Sequence, residues 1–186
     1  MTPIAVMYTE FYMSLAAFAL IAAWYVVPAL RKRPFREAVV PLLLLHTFRH
    51  FGMFYITAMA VASPPPAGFA VPTAYGDVAA AVLALIALVA VRTRGSLAVP
   101  LVWTFNLVGV GDLVLAAVNG QRYGIAAYSI GVAYVLPILV VPALLVSHAL
   151  VFWLLVRRPA PDSVVVVDSV GPPREGTVSA PSRIGA

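Results

Sequence analysis

A chain of 186 residues that is 62% hydrophobic and only 10% charged is too apolar for a water-soluble domain. Soluble domains carry charge on about a quarter of their residues, and a fold of this size keeps much of its surface at the boundary. The lack of cysteine excludes disulfides, thiolate nucleophiles, iron–sulfur clusters and thiolate zinc sites. The net charge of +5 falls largely in connections between apolar runs, so we expect no nucleic-acid partner.

Five apolar runs are long enough to cross a bilayer, which takes about 20 residues of helix. In chain order, we predict transmembrane helices at about 5–30, 38–62, 74–91, 98–118 and 129–156. The predicted fold is therefore all-α: a polytopic integral membrane protein whose residues 1–158 form a bundle of five transmembrane helices. Because the connections are short, neighbours in sequence should pack as antiparallel neighbours in space.

Basic residues predict the orientation, because positive charge collects on the cytoplasmic side of a membrane. They fall in the first and third connections and after the last helix, at Arg31, Lys32, Arg33, Arg36, Arg92, Arg94, Arg157 and Arg158. This pattern predicts an outside N-terminus, on a retained first helix, and a cytoplasmic C-terminus. The expected location is the cell membrane, the inner membrane in a prokaryote. Residues 159–186 are rich in Pro, Ser and Gly and lack aromatics, which predicts a disordered cytoplasmic tail.

The second run, LLLLHTFRHFGMFYI, carries ionisable residues at its centre. His46, Arg49 and His50 have the spacing of one helix face, and Met53 and Thr57 continue it. The predicted opposite, lipid-facing side carries Leu43, Leu44, Phe51 and Phe54. An arginine that faces lipid near the membrane centre costs about 3 kcal/mol on insertion scales. The polar stripe should therefore face the bundle interior.

Helix depth predicts which polar residues meet, since each residue advances the helix by about 1.5 Å. Glu10, Asp77 and Asp112 fall in the outer half of the predicted bundle, and Asp112 is the firmest predicted partner of Arg49. The fourth helix has a polar seam in which Gly109 permits close packing. The complete predicted cluster is Glu10, His46, Arg49, His50, Asp77, Asn106, Asp112 and His148, with His46, Asn106 and His148 in the inner half.

The predicted cluster holds three carboxylates but one arginine. Isolated buried charge is costly, so the excess must be balanced by protons on the carboxylates, by protonated histidines, or by a bound cation or water. We therefore predict proton-coupled binding or translocation of a small molecule or ion, with the cluster as a proton relay. Five helices make a thin pathway, so a homodimer or partner membrane subunits are expected in the lipid bilayer.

Two alternatives stay open at this point. A membrane redox enzyme could hold haem b between the second and fifth helices, with His46 or His50 opposite His148. A metal shared by His46 and His50 is not expected, since HTFRH lacks the glutamate of H-E-x-x-H and its arginine repels cations. A non-catalytic subunit or assembly factor would use the cluster only to fix helix packing. The sequence does not decide whether the protein is an enzyme.

Overall fold

Five long helices form the part of the protein that the structure describes. The computed structural model describes residues 1–57, 60–61 and 63–157, so the predicted tail at 159–186 lies outside the described residues. The helices are α1 (Pro3–Arg31), α2 (Phe35–Ile56), α3 (Ala67–Arg92), α4 (Ala98–Arg122) and α5 (Gly131–Arg157). Each is long and apolar enough to span a membrane. The described ranges contain helices and their connections but no strand.

The five predicted helical segments are confirmed, with shifted ends. Helix α2 ends at Ile56 rather than at residue 62, and α3 begins at Ala67 rather than at residue 74. The stretch AGFAVPT, predicted as part of a connection, is thus the start of α3, with Pro72 inside the helix. Pro72 lies beyond the first turn, so the Gly68 carbonyl loses the hydrogen bond that an N–H at position 72 would donate.

Helices α2, α3, α4 and α5 form a closed ring, in which each helix packs against the next and α5 packs against α2. Helix α1 lies outside this ring, mainly against α5. The prediction that sequence neighbours pack together is therefore correct from α2 to α5 and wrong for α1. Both flanks of α2 are occupied, by α3 and by α5, which leaves α1 to pack elsewhere.

Two apolar clusters fill the bundle on either side of a polar layer. We call the end at which α2 ends and α3 begins the outer end, after the predicted orientation, and the opposite end the inner end. The inner cluster includes Leu43, Val102, Phe105 and Val151. The outer cluster includes Tyr55, Phe69, Ile125 and Leu136. The polar residues between them come from all four ring helices.

The predicted lipid-facing side of α2 needs one correction. Leu44 and Phe51 are 46% and 40% exposed, as expected, but Leu43 is fully buried in the inner cluster. Because α2 packs against α3 on one side and α5 on the other, residues beyond its polar face are also buried.

Candidate functional site

Arg49 is the centre of the polar layer and is 2% exposed. Its Nε donates to Asp77 Oδ1 at 2.8 Å, and its Nη2 donates to Asp112 Oδ2 at 2.5 Å. Hydrogen bonds between ionised partners are shorter and roughly twice as strong as neutral ones. The side chains of Asp77 and Asp112 are only 15% and 9% exposed, so the ion triad is largely shielded from solvent.

The remaining guanidinium nitrogen reaches the other side of the ring. Arg49 Nη1 donates to the Gly109 carbonyl at 3.0 Å and to His148 Nε2 at 3.3 Å. One side chain from α2 therefore contacts α3 through Asp77, α4 through Gly109 and Asp112, and α5 through His148. The guanidinium joins all four ring helices.

The contacts of His148 determine its tautomer. Because Arg49 has no acceptor atom, His148 Nε2 must accept, which leaves the proton on Nδ1. That Nδ1 donates to Asn106 Oδ1 at 2.7 Å, and Asn106 Nδ2 donates to the His148 carbonyl at 3.4 Å. His148 is therefore neutral and held from both sides, 1% exposed.

His46 continues the polar layer toward the inner end. Its ring centroid lies 4.1 Å from that of His148, and its Nε2 lies 3.1 Å from Ser147 Oγ. Its Nδ1 is buried without a hydrogen-bond partner among the described residues. Phe105 packs edge-on against His46, with ring centroids 4.9 Å apart. Among the described residues, the buried side chains farther toward the inner end are apolar.

Three glycines make room for the charged groups. A methyl group at Gly109 would lie 2.6 Å from His148 Cε1 and 3.0 Å from Arg49 Nη1. A methyl group at Gly52 would overlap the Asp77 carboxylate, and one at Gly76 would overlap the Asp112 carboxylate. The cluster therefore depends on small residues as well as on charges.

Two predicted members lie apart from the cluster. His50 is exposed, and its Nδ1 donates to the carbonyl of Thr47 in its own helix at 2.9 Å. From Phe48 to Ile56, α2 winds as a tighter 3-10 helix. In a helix with three residues per turn, residues three apart lie on the same face, so Arg49 shares the face of His46. His50, one residue later, is rotated from that face by a third of a turn. Glu10 instead accepts from the hydroxyl of Tyr134 at 2.5 Å, between α1 and α5.

A cavity of about 170 Å³ lies on the outer side of the ion triad. Arg49, Asp77 and Asp112 form its polar floor, and its walls are mostly aliphatic and aromatic, including Tyr8, Phe11, Phe51, Tyr55 and Phe69. Thr73 also lines it; its Oγ1 is buried and has no hydrogen-bond partner among the described residues. A free hydroxyl beside an ionic floor is the arrangement that a polar ligand group would complete.

Sequence reasoning missed the glycines at 52 and 76, together with Thr73 and Ser147. Gly76 precedes Asp77 directly, and Gly52 follows Arg49 by three residues, a spacing that places two residues on one helix face, so both had a detectable signal. Thr73 and Ser147 had none, because lone hydroxyl residues are common in apolar helices.

The histidines do not fit the haem of the redox-enzyme alternative. Bis-histidine ligation places the porphyrin between its two axial rings, whereas His46 and His148 are in direct ring contact. Both nitrogens of His148 are already engaged, one of them by the Arg49 cation. His50 is exposed and bonded to its own helix. The residues present therefore do not provide the proposed axial pair.

The fold and the site define a class: an all-helical protein with five helices long and apolar enough to span a membrane, and a buried Asp–Arg–Asp triad under a cavity. The chain belongs to a family described as a domain of unknown function, DUF8737, whose family model matches residues 6–156. That range contains the ion triad and both buried histidines. Comparison with curated proteins and with solved structures gave no match.

Proposed function

We propose that this protein is a multi-pass protein of the cell membrane, the inner membrane in a prokaryote, that binds a small organic cation in the cavity and exchanges it for a proton. The observation that carries the proposal is the ion triad at the cavity floor, which has one carboxylate more than it has guanidinium groups.

The charges of the triad support the exchange. His148 is neutral in its hydrogen-bonded tautomer, so Arg49 is the one cation facing Asp77 and Asp112 in the described cluster. With both carboxylates ionised, the cluster would carry an unbalanced negative charge, and such a charge is costly away from water. In the resting state a proton on one carboxylate balances the cluster. A bound cation takes the place of that proton and releases it.

The volume of the cavity supports a ligand about the size of one six-membered aromatic ring. An apolar protein cavity of roughly 150 Å³ holds a benzene molecule, and this cavity is about 170 Å³. Its aromatic walls suit a cation, which is attracted to the faces of such rings. Thr73 Oγ1 can accept a hydrogen bond from an ammonium group that also approaches Asp112.

The arrangement favours binding from the outer end over passage through the bundle. Toward the inner end, the buried polar side chains of the described residues end at the level of His46, Asn106 and Ser147. The inner cluster, which includes Val39, Val102 and Val151, closes the space beyond them. Translocation would require a second conformation that opens this apolar region.

Isothermal titration calorimetry of the purified protein in detergent micelles tests the proposal with two matched probes. Benzylammonium and benzyl alcohol share a ring and differ in charge. We expect benzylammonium to bind at least tenfold more tightly, since a hydrogen bond to a charged group contributes about 1.5–3 kcal/mol. Titration in two buffers of different ionisation enthalpy should show proton release on binding.

The variant Asp112→Asn removes the excess carboxylate and should abolish both the preference and the proton release. Glu37→Gln, a carboxylate change outside the cavity, serves as the control and should change neither. Equal affinity for the two probes, or proton release that persists in Asp112→Asn, would overturn the proposal. Far-UV circular dichroism verifies that each variant is folded.

A second candidate function has one observation in its favour. Because Arg49 contacts the three other ring helices, the triad would also suit a non-catalytic subunit or assembly factor in which the charges only fix helix packing. This alternative predicts no probe binding and no proton release. The same calorimetric titration therefore separates the two functions.

A further inference from the structure

We propose that the inner end of the bundle binds the headgroup of an anionic phospholipid in a groove between the start of α2 and the connection from α3 to α4. The groove is basic: Arg33 and Arg36 line it from one side, and Arg92 and Arg94 line it from the other. Glu37 is its one acidic lining residue among the residues that the structure describes. Guanidinium groups pair well with phosphate oxygens, often through two hydrogen bonds at once.

The apolar part of the groove suits the rest of a lipid molecule. Val40, Pro41 and Leu44 line it along α2, and Val99 lines it from α4. Leu44 is 46% exposed on the side of α2 that faces away from the bundle centre. The apolar wall therefore continues onto the face that acyl chains would contact. Basic pockets between helices at a membrane surface are typical sites for acidic lipid headgroups. A soluble anion would gain nothing from this apolar wall.

Membrane orientation alone does not explain the arrangement, since orientation requires only that basic residues lie in the right connections. Here the arginines fall into two groups, those that stack on an aromatic ring and those that line the groove. Arg31 and Arg157 lie over the ring of Trp153, at 5.9 and 4.9 Å from its centroid. Arg36 Nη1 donates to the Val91 carbonyl at 3.4 Å, which joins the start of α2 to the last turn of α3. That contact brings the arginines of two connections to one groove.

The backbone at Arg94 supports a role for its side chain. Its φ is 56°, the left-handed region, and it is the one non-glycine residue with positive φ in the described part of the chain. Gly95 N donates to the Ala90 carbonyl at 3.0 Å, a bond that closes the end of α3. Glycine is the usual residue in this conformation at a helix end. An arginine that keeps a costly backbone conformation indicates a function for its guanidinium.

Thermal unfolding in dodecylmaltoside micelles, titrated with dioleoylphosphatidylglycerol, tests the proposal. The anionic lipid should raise the melting temperature, and dioleoylphosphatidylcholine should not. The apparent affinity for the anionic lipid should fall about fivefold in Arg33→Gln and in Arg94→Gly. Without lipid, Arg94→Gly should melt at a higher temperature than the parent, so a loss of lipid response there cannot result from misfolding.

Lys32→Gln is the matched control, because Lys32 lies in the same connection as Arg33 but does not line the groove. It should keep the full lipid response. Three results would overturn the proposal: equal shifts with the two lipids, a loss in Lys32→Gln as large as that in Arg33→Gln, or the same stabilisation by inorganic phosphate alone. The last result would identify a site for a free anion.

Discussion

Replacing Arg49 with methionine should destabilise the bundle more than any other single change in the polar layer. Methionine keeps an unbranched stem, is shorter than arginine, and removes the charge and all donors. It would leave Asp77 and Asp112 without a cation and the Gly109 carbonyl and His148 Nε2 without their donor. Removing one partner of a buried ion pair costs about 3–5 kcal/mol.

The hydrogen bonds of Arg49 give a similar value for the loss of unfolding free energy. Two charge-assisted bonds, at 2.8 and 2.5 Å, contribute about 1.5–3 kcal/mol each. The two abandoned carboxylates can recover part of this loss by taking up protons, since they keep 15% and 9% exposure. We therefore expect Arg49→Met to cost about 3–5 kcal/mol at neutral pH and less in acid.

The assay is reversible unfolding in mixed micelles at increasing mole fraction of dodecyl sulfate, followed by far-UV circular dichroism. The triple variant Arg49→Met, Asp77→Asn, Asp112→Asn provides the matched comparison, because it removes the charges together. It should recover most of the stability, since a neutral cluster leaves no uncompensated charge. A loss below about 1 kcal/mol for Arg49→Met, or a triple variant as unstable as the single one, would show that Arg49 does not stabilise the bundle through its charge.

Four further changes test other parts of the structure. Gly109→Ala should cost about 1–3 kcal/mol in the same unfolding assay because its methyl group would meet His148, whereas Gly111→Ala, with open space around it, should be neutral or stabilising by up to about 1 kcal/mol. Asn106→Leu should cost about 1–3 kcal/mol by leaving His148 Nδ1–H unpaired. Arg94→Gly should stabilise the lipid-free protein by about 1 kcal/mol, measured by thermal unfolding; a loss in its place would show that the backbone at this residue is not strained.

The helical segments and several polar contacts followed from the sequence for simple reasons. Apolar runs of 20 residues have few alternatives to a helix in a chain this poor in charge. Depth counted along straight helices placed Asp112 near Arg49, and His46 and Asn106 near His148. These pairs depend only on the axial rise per residue, which varies little between helices.

The predictions failed where winding or helix order mattered. His50 lies outside the cluster because α2 changes from α-helical to 3-10 winding after Thr47. A change from 3.6 to 3.0 residues per turn leaves no mark in a hydrophobic pattern. Glu10 does not join the cluster because α1 packs outside the ring, against α5. There the Tyr134 hydroxyl donates to the Glu10 carboxylate. The sequence specifies neither the winding of a helical segment nor the side of the bundle against which a helix packs.

The composition of the polar layer supports the proposed binding site over a device that only fixes helix packing. A buried ion pair is weak evidence for stability, since well-packed apolar residues of similar volume often do as well or better. A packing device would also balance its charges and satisfy its polar atoms. Here the triad has a surplus carboxylate, and Thr73 Oγ1 has no hydrogen-bond partner among the described residues, although both line the same cavity. A cation with a hydrogen-bond donor corrects both deficits at once, which is why the cavity, and not the arginine alone, supports the proposed function.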